Sequence, residues 1–248
     1  FLNFLDGRDR RNNVATSNGA GIFLDNGTLT IINSTISGNT AGSSGGGIYA
    51  SNNSSTLVNI QNSTIAYNHA STGGGISRTN GAYHITNTII ANNSATSSPD
   101  CAGVIALANF NIIENTVGCS ITSGSNNLNV DPQIDSNLTG VMLVHTLLTG
   151  SPAINAGSAS GCPPTDQRGV ARPQGAACDI GAYELIPLYT VTFNANGGTG
   201  SMSNQTQNYN VATALTLNAF TRVGYTFTGW NTAANGSGTA YANGAIYP

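Results

Sequence analysis

Gly47-Ile48-Tyr49, Val58-Asn59-Ile60, Asn62-Ser63-Thr64-Ile65 and Asn68 form a run that recurs on both sides of itself. Upstream it reads Gly21-Ile22-Phe23, Leu29-Thr30-Ile31, Asn33-Ser34-Thr35-Ile36 and Asn39. Downstream it reads Gly75-Ile76-Ser77, Tyr83-His84-Ile85, Asn87-Thr88-Ile89-Ile90 and Asn93. The first Asn repeats after 29 and then 25 residues, and the variation falls between the Gly-Ile pair and the Asn, where a loop absorbs it. A partial earlier coil ends at Asn13-Val14-Ala15.

Apolar residues alternate ahead of each first Asn, which is the periodicity of a strand with one face inward. Gly and β-branched residues disfavour helix. A repeat in the mid-twenties, read as about three short strands per turn, predicts an all-β fold: a parallel β-helix whose coils pair at about 4.8 Å. Identical residues then stack. Ile36, Ile65 and Ile90 are expected in one interior column, Asn33, Asn62 and Asn87 in an amide ladder, and Asn39, Asn68 and Asn93 in a second. Each Asn also has a plainer reading as a turn residue tolerating left-handed backbone. Further strands are expected around Val104–Ile113, 128–134 and 141–148. The Gly-, Pro- and Cys-rich segment 151–187 is expected to cap the open end, because uncovered strand edges invite pairing.

Only 7% of the residues are charged, all seven cations are Arg, and Asn plus Thr make up about a quarter of the chain. That composition argues against nucleic acid, which demands clustered cations. No apolar run reaches the roughly 20 residues of a membrane span. Hydrophobic content of 39% argues against disorder. The chain starts at Phe1 without a leader pattern and stops at Pro248 in a strand-like pattern, so both ends are expected to continue in a longer polypeptide.

Four Cys allow three connectivities. Proximity favours Cys101–Cys119 and Cys162–Cys178, each worth on the order of 3 kcal/mol and implying an oxidising, extracytoplasmic location. No zinc-like spacing appears. Asp166, Arg168, Arg172, Asp179 and Glu184 crowd a short stretch. They are expected to form an ion-pair network fixing the cap rather than a calcium or catalytic site, since Arg forks match carboxylates.

Ser151-Pro152-Ala153-Ile154-Asn155-Ala156-Gly157, Asp166-Gln167-Arg168-Gly169, Arg172-Pro173 and Cys178-Asp179-Ile180-Gly181-Ala182-Tyr183-Glu184 resemble the end of the choice-of-anchor Q proteins. Asp100-Cys101, Asn111 and Gly118-Cys119 also fit. This resemblance, over about residues 14–184, implies a right-handed parallel β-helix on a bacterial surface or in secreted material.

After Pro187 the register ends. Phe193-Asn194-Ala195-Asn196-Gly197-Gly198 and Phe220-Thr221-Arg222-Val223-Gly224-Tyr225-Thr226-Phe227-Thr228-Gly229-Trp230 resemble an internalin-type B repeat, a small β-grasp-like module over 188–248 whose usual closing strand is missing. Phe193, Phe220, Phe227 and Trp230 are expected to be its core, with a carbohydrate platform as the alternative.

The expected domains are thus coils over 1–150, a cap over 151–187 and the module over 188–248. Within the recognised coils the carboxylates are Asp25, Asp100 and Glu114 and the cation is Arg78. His69 and His84 stand alone, and no Ser/His/Asp constellation is legible. The paired carboxylates of a glycosidase are absent from that pattern, and Thr-x-Thr segments fall out of register for an ice-binding ladder. The expectation is a non-catalytic structural or adhesive protein outside the cell, without cofactor or metal. Its partners are other copies of itself, in filaments or a sheath, or surface components, with glycans a further candidate. A secreted polysaccharide lyase, glycosidase or glycan-binding module is the alternative.

Overall fold

The computed structural model describes residues 2–51, 55–209 and 211–247, with side chains from Asp6 onward. It divides into two compact units, Phe1–Leu185 and Ile186–Pro248.

The first unit is a parallel β-solenoid with four faces rather than three. Face one stacks Leu2–Asp6, Thr28–Ile32, Leu57–Gln61, Ala82–Thr86, Leu107–Asn109 and Gly124–Ser125; face two stacks Asp9–Arg11, Thr35–Ser37, Thr64–Ala66, Ile89–Ala91 and Ile112–Ile113. Face three holds Val14–Ala15, Thr40–Ala41, His69–Thr72 and Ser94–Ser97. Face four holds Ile22–Leu24, Ile48–Ala50, Ile76–Arg78, Cys101–Ile105 and Cys119–Ile121. The earliest coil therefore begins well before Asn13 and brings Asp6, Asp9, Arg8, Arg10 and Arg11 into the solenoid.

Pairing is in register, with Ile31 opposite Ile60, Ile60 opposite Ile85, and Ile36, Ile65 and Ile90 in line. These six Ile are at most 1% exposed. The Gly-Ile recurrence has a packing cause: a Cβ on Gly21 would lie 2.5 Å from the Gly47 carbonyl oxygen, and one on Gly47 2.5 Å from that of Gly75. Only glycine lets successive corners approach that closely.

After Leu128 the coiling stops. Ile134–Thr139 and Val144–Leu147 form an antiparallel hairpin, not further coils. The segment after it is also not an end cap. It runs along the outside of face two, where Ile134, Leu147, Ala153 and Ile180 pack on Ala66, Ile89, Ala91 and Ile112. From Thr35–Ser37 onward face two is thus buried on both sides, whereas its first strand, Asp9–Arg11, stays mostly exposed. The outward residues of the covered strands are small or apolar, so a partner gains by covering them.

The second unit has three antiparallel pairs: Leu188–Val191 with Gln205–Asn208, Thr213–Ala214 with Ile246–Tyr247, and Trp230–Asn231 with Ala240–Tyr241. No helix among the described residues is long and apolar enough to cross a membrane.

Candidate functional site

Corners of the solenoid use Asn in two ways. Asn33, Asn62 and Asn87 have φ of 45°, 42° and 49°, a region Asn tolerates better than most residues. Their amides do not form the expected ladder. Asn33 Nδ2 donates to the Thr165 carbonyl at 2.8 Å, Asn62 Nδ2 to that of Asp179 at 3.4 Å, and Asn87 Nδ2 to those of Ser158 and Gly161 at 3.1 Å. One 3.4 Å bond from Asn87 to Asn62 is all that links the column. Left-handed backbone turns these side chains outward, where the flank segment supplies better acceptors.

Asn39, Asn68 and Asn93 point inward and do stack. Asn13 Nδ2 donates to Asn39 Oδ1 at 2.7 Å, Asn39 Nδ2 to Asn68 Oδ1 at 2.8 Å, and Asn68 Nδ2 to Asn93 Oδ1 at 2.9 Å. At this corner the preceding residue is the left-handed one: Asn12, Gly38, Tyr67 and Asn92. Asp100 ends the ladder, accepting from Asn93 Nδ2 at 2.9 Å and from the Asn115 N–H at 2.8 Å. It is 1% exposed, and burial pushes its pKa up to about 6, partly offset by those bonds. Asp100, in the sequence only one of the coils' few carboxylates, thus belongs to the Asn39, Asn68 and Asn93 column.

The flank segment gathers the five charged residues. Arg172 Nη1 donates to Glu184 Oε2 and to the Asp179 carbonyl, both at 2.8 Å, and Nη2 to the Gly181 carbonyl at 2.8 Å. Glu184 also accepts from the Gln174 and Asp179 N–H groups. Arg168 forks onto Asp166 Oδ2 at 2.8 and 2.7 Å and lies 3.7 Å above the Tyr183 ring centroid. Asp166 further accepts from three backbone N–H groups, and Asp179 from those of Asn155 and Leu185. Burial raises the Asp179 pKa to about 6. Every carboxylate oxygen here accepts a hydrogen bond from the chain, an arrangement that organises backbone. Gln167 extends the clasp, accepting from Thr35 Oγ1 at 2.7 Å and donating to the Met142 carbonyl.

Two disulfides, Cys101–Cys119 and Cys162–Cys178, have Cα separations of 5.3 and 6.3 Å, within the ordinary range. The first ties the last two strands of face four; the second closes a loop of the flank segment.

A Ser-His contact that no local pattern announces also forms. His145 Nε2 lies 2.8 Å from Ser37 Oγ, and Nδ1 lies 2.7 Å from the Asp135 carbonyl. Both residues are buried, and burial lowers the His145 pKa. The neutral ring joins the hairpin to face two, out of a substrate's reach. His69 instead meets Ser94 at the surface.

In the second unit Trp230 is surrounded by Phe193 and Phe227 at 4.8 Å and Phe220 at 6.3 Å between ring centroids. The four rings do pack together, but all stay partly exposed and line a cleft of about 1270 Å³.

No curated protein and no solved structure matches the chain. A family model does match part of it. Residues 189–248 match the family model of the Listeria-Bacteroides repeat domain, and this likeness, with two disulfides beside a β-solenoid, points to a bacterial protein of the cell surface or extracellular space.

Proposed function

We propose that this chain is a β-solenoid shaft with a following repeat module from a bacterial surface protein that holds or touches other molecules without transforming them. The observation that carries the reading is the pairing of a stapled, in-register solenoid with a Listeria-Bacteroides repeat. Resemblance of Ser151–Glu184 to choice-of-anchor Q proteins supports it. So does the state of the acids: those of the flank segment and Asp100 are consumed by internal hydrogen bonds.

Antibody labelling of intact cells of the producing bacterium tests the location; labelling only after lysis rejects it. Incubation of the full chain with pectin, alginate and glucan tests the non-catalytic part. No new reducing ends or unsaturated products are expected, and reproducible turnover by the purified chain would reject the reading. Sedimentation at high concentration tests self-assembly: filaments or sheath-like assemblies support it, and monodisperse single chains count against it.

A further inference from the structure

We infer that the aromatic cleft of the second unit is a binding site for an acidic saccharide, its carboxylate on Arg222 and its ring over the cluster around Trp230. The inference rests on the surface-protein reading and gives it a ligand class. Residues 186–248 contain no Asp, Glu, Lys or His, so Arg222 is the module's single charged side chain and has no acid to pair with. It lines the cleft. Its guanidinium is held 4.1 Å above the Tyr225 ring centroid, with Nη1 donating to the Asn196 carbonyl at 3.3 Å. A guanidinium oriented in this way still presents donors that match a carboxylate's two oxygens.

Two further groups in the cleft wall are incomplete. Gln207 is 7% exposed, and its Oε1 is buried with no hydrogen-bond partner; Trp230 Nε1 is likewise buried and unpartnered. One is an acceptor and the other a donor. Native structures rarely leave such groups unpaired, and each instance asks for an explanation. Sugar hydroxyls both give and accept, and the C–H face of a pyranose packs on aromatic rings. A carboxylated sugar therefore answers two features at once, the unpaired cation and the cluster of half-exposed rings, while the buried Gln207 Oε1 and Trp230 Nε1 mark an incompletely packed wall behind them. A phosphate or sulfate ion would satisfy Arg222 alone.

Trp230 is the chain's one tryptophan, so its fluorescence reports on this cleft in the intact protein. Titration of the full chain with oligogalacturonate, with cello-oligosaccharide as the uncharged comparison, should give a saturable change in emission at roughly fivefold lower concentration for the uronate. Arg222→Gln should remove that preference while leaving the response to the neutral sugar in place, and Arg222→Lys should restore part of it. Arg222 is exposed and makes no ion pair, so both variants are expected to keep the parent's circular dichroism. Absence of any response, or equal binding of the two sugars that Arg222→Gln does not alter, would overturn the inference. Surface labelling of cells is independent of this titration, so a failed ligand and a failed location give different results.

Discussion

Coils and module bury their residues by different means. In the solenoid, Ile31, Ile36, Ile60, Ile65, Ile85 and Ile90 are at most 1% exposed, each enclosed by its counterparts above and below. In the module, among the described residues, Leu215 and Gln207 alone are enclosed, at 5% and 7% exposure. A stacked coil borrows half its interior from its neighbours, so compact aliphatics suffice. A module of about 60 residues has a large surface for its volume and must rely on a few large rings. The interior columns of the first unit are filled by buried aliphatics, whereas the second keeps its aromatic rings partly exposed along a cleft. The difference separates a part suited to holding shape from a part suited to touching a ligand.

The contrast can be broken most forcefully at the flank clasp. Glu184→Gln leaves Arg172 buried without its countercharge and should cost the solenoid about 3–5 kcal/mol in urea unfolding followed by circular dichroism. Trp230 fluorescence should report an unchanged transition for the module. A loss below about 1 kcal/mol would mean that the clasp contributes little to the fold. Next in size, Ile65→Ala opens a cavity in a column with no room to collapse and should cost about 3 kcal/mol, again in the solenoid signal only. Substituting a half-exposed ring such as Phe227→Leu should cost the module roughly 1 kcal/mol, and equal losses at the two sites would erase the distinction.

Reduction of the two disulfides should lower the solenoid's stability by about 2–4 kcal/mol per bridge and leave the module, which has no Cys, untouched.

The two units should also differ in their response to pH. Asp100 and Asp179 have folded pKa values of about 6, above the ordinary 3.8. The native state therefore binds their protons first. Their stabilising share is complete below about pH 3.8 and is lost as pH rises through about 6. His145 acts in the opposite sense: its pKa is lowered, so its share is present above about pH 6.5 and falls in acid. Two carboxylates outweigh one imidazole, and the solenoid should gain about 1–3 kcal/mol between pH 7 and 5. Asp100→Asn should flatten part of that gain. The module, with no acid and no His, should show no such slope.

Much of this was readable in advance. Recurring Ile at matched offsets announced the interior columns, and close spacing paired the cysteines. Four faces instead of three were not legible, because strands of two or three residues such as Val14–Ala15 and Thr40–Ala41 carry too little alternation to register as a face. The flank position of 151–185 was not legible either. Its partners on face two, Thr35, Thr64 and Ala66, look like ordinary outward residues, and their contacts with Gln167 and Ala182 span 132 and 118 residues for Thr35 and Thr64. The buried Ser37–His145 contact spans 108. In the module, aromatic positions pointed to a cluster but not to how far it would remain open.

By itself the sequence determined which residues stack, because a periodic pattern with one face inward has a single register that keeps every apolar side chain dry. Only the tertiary structure decided what each stacked polar residue does. Asn39 and Asn62 occupy corners of the same kind, yet one amide turns in to its neighbours and the other turns out to a distant segment. The backbone angle at each corner, and what lies outside it, set that choice.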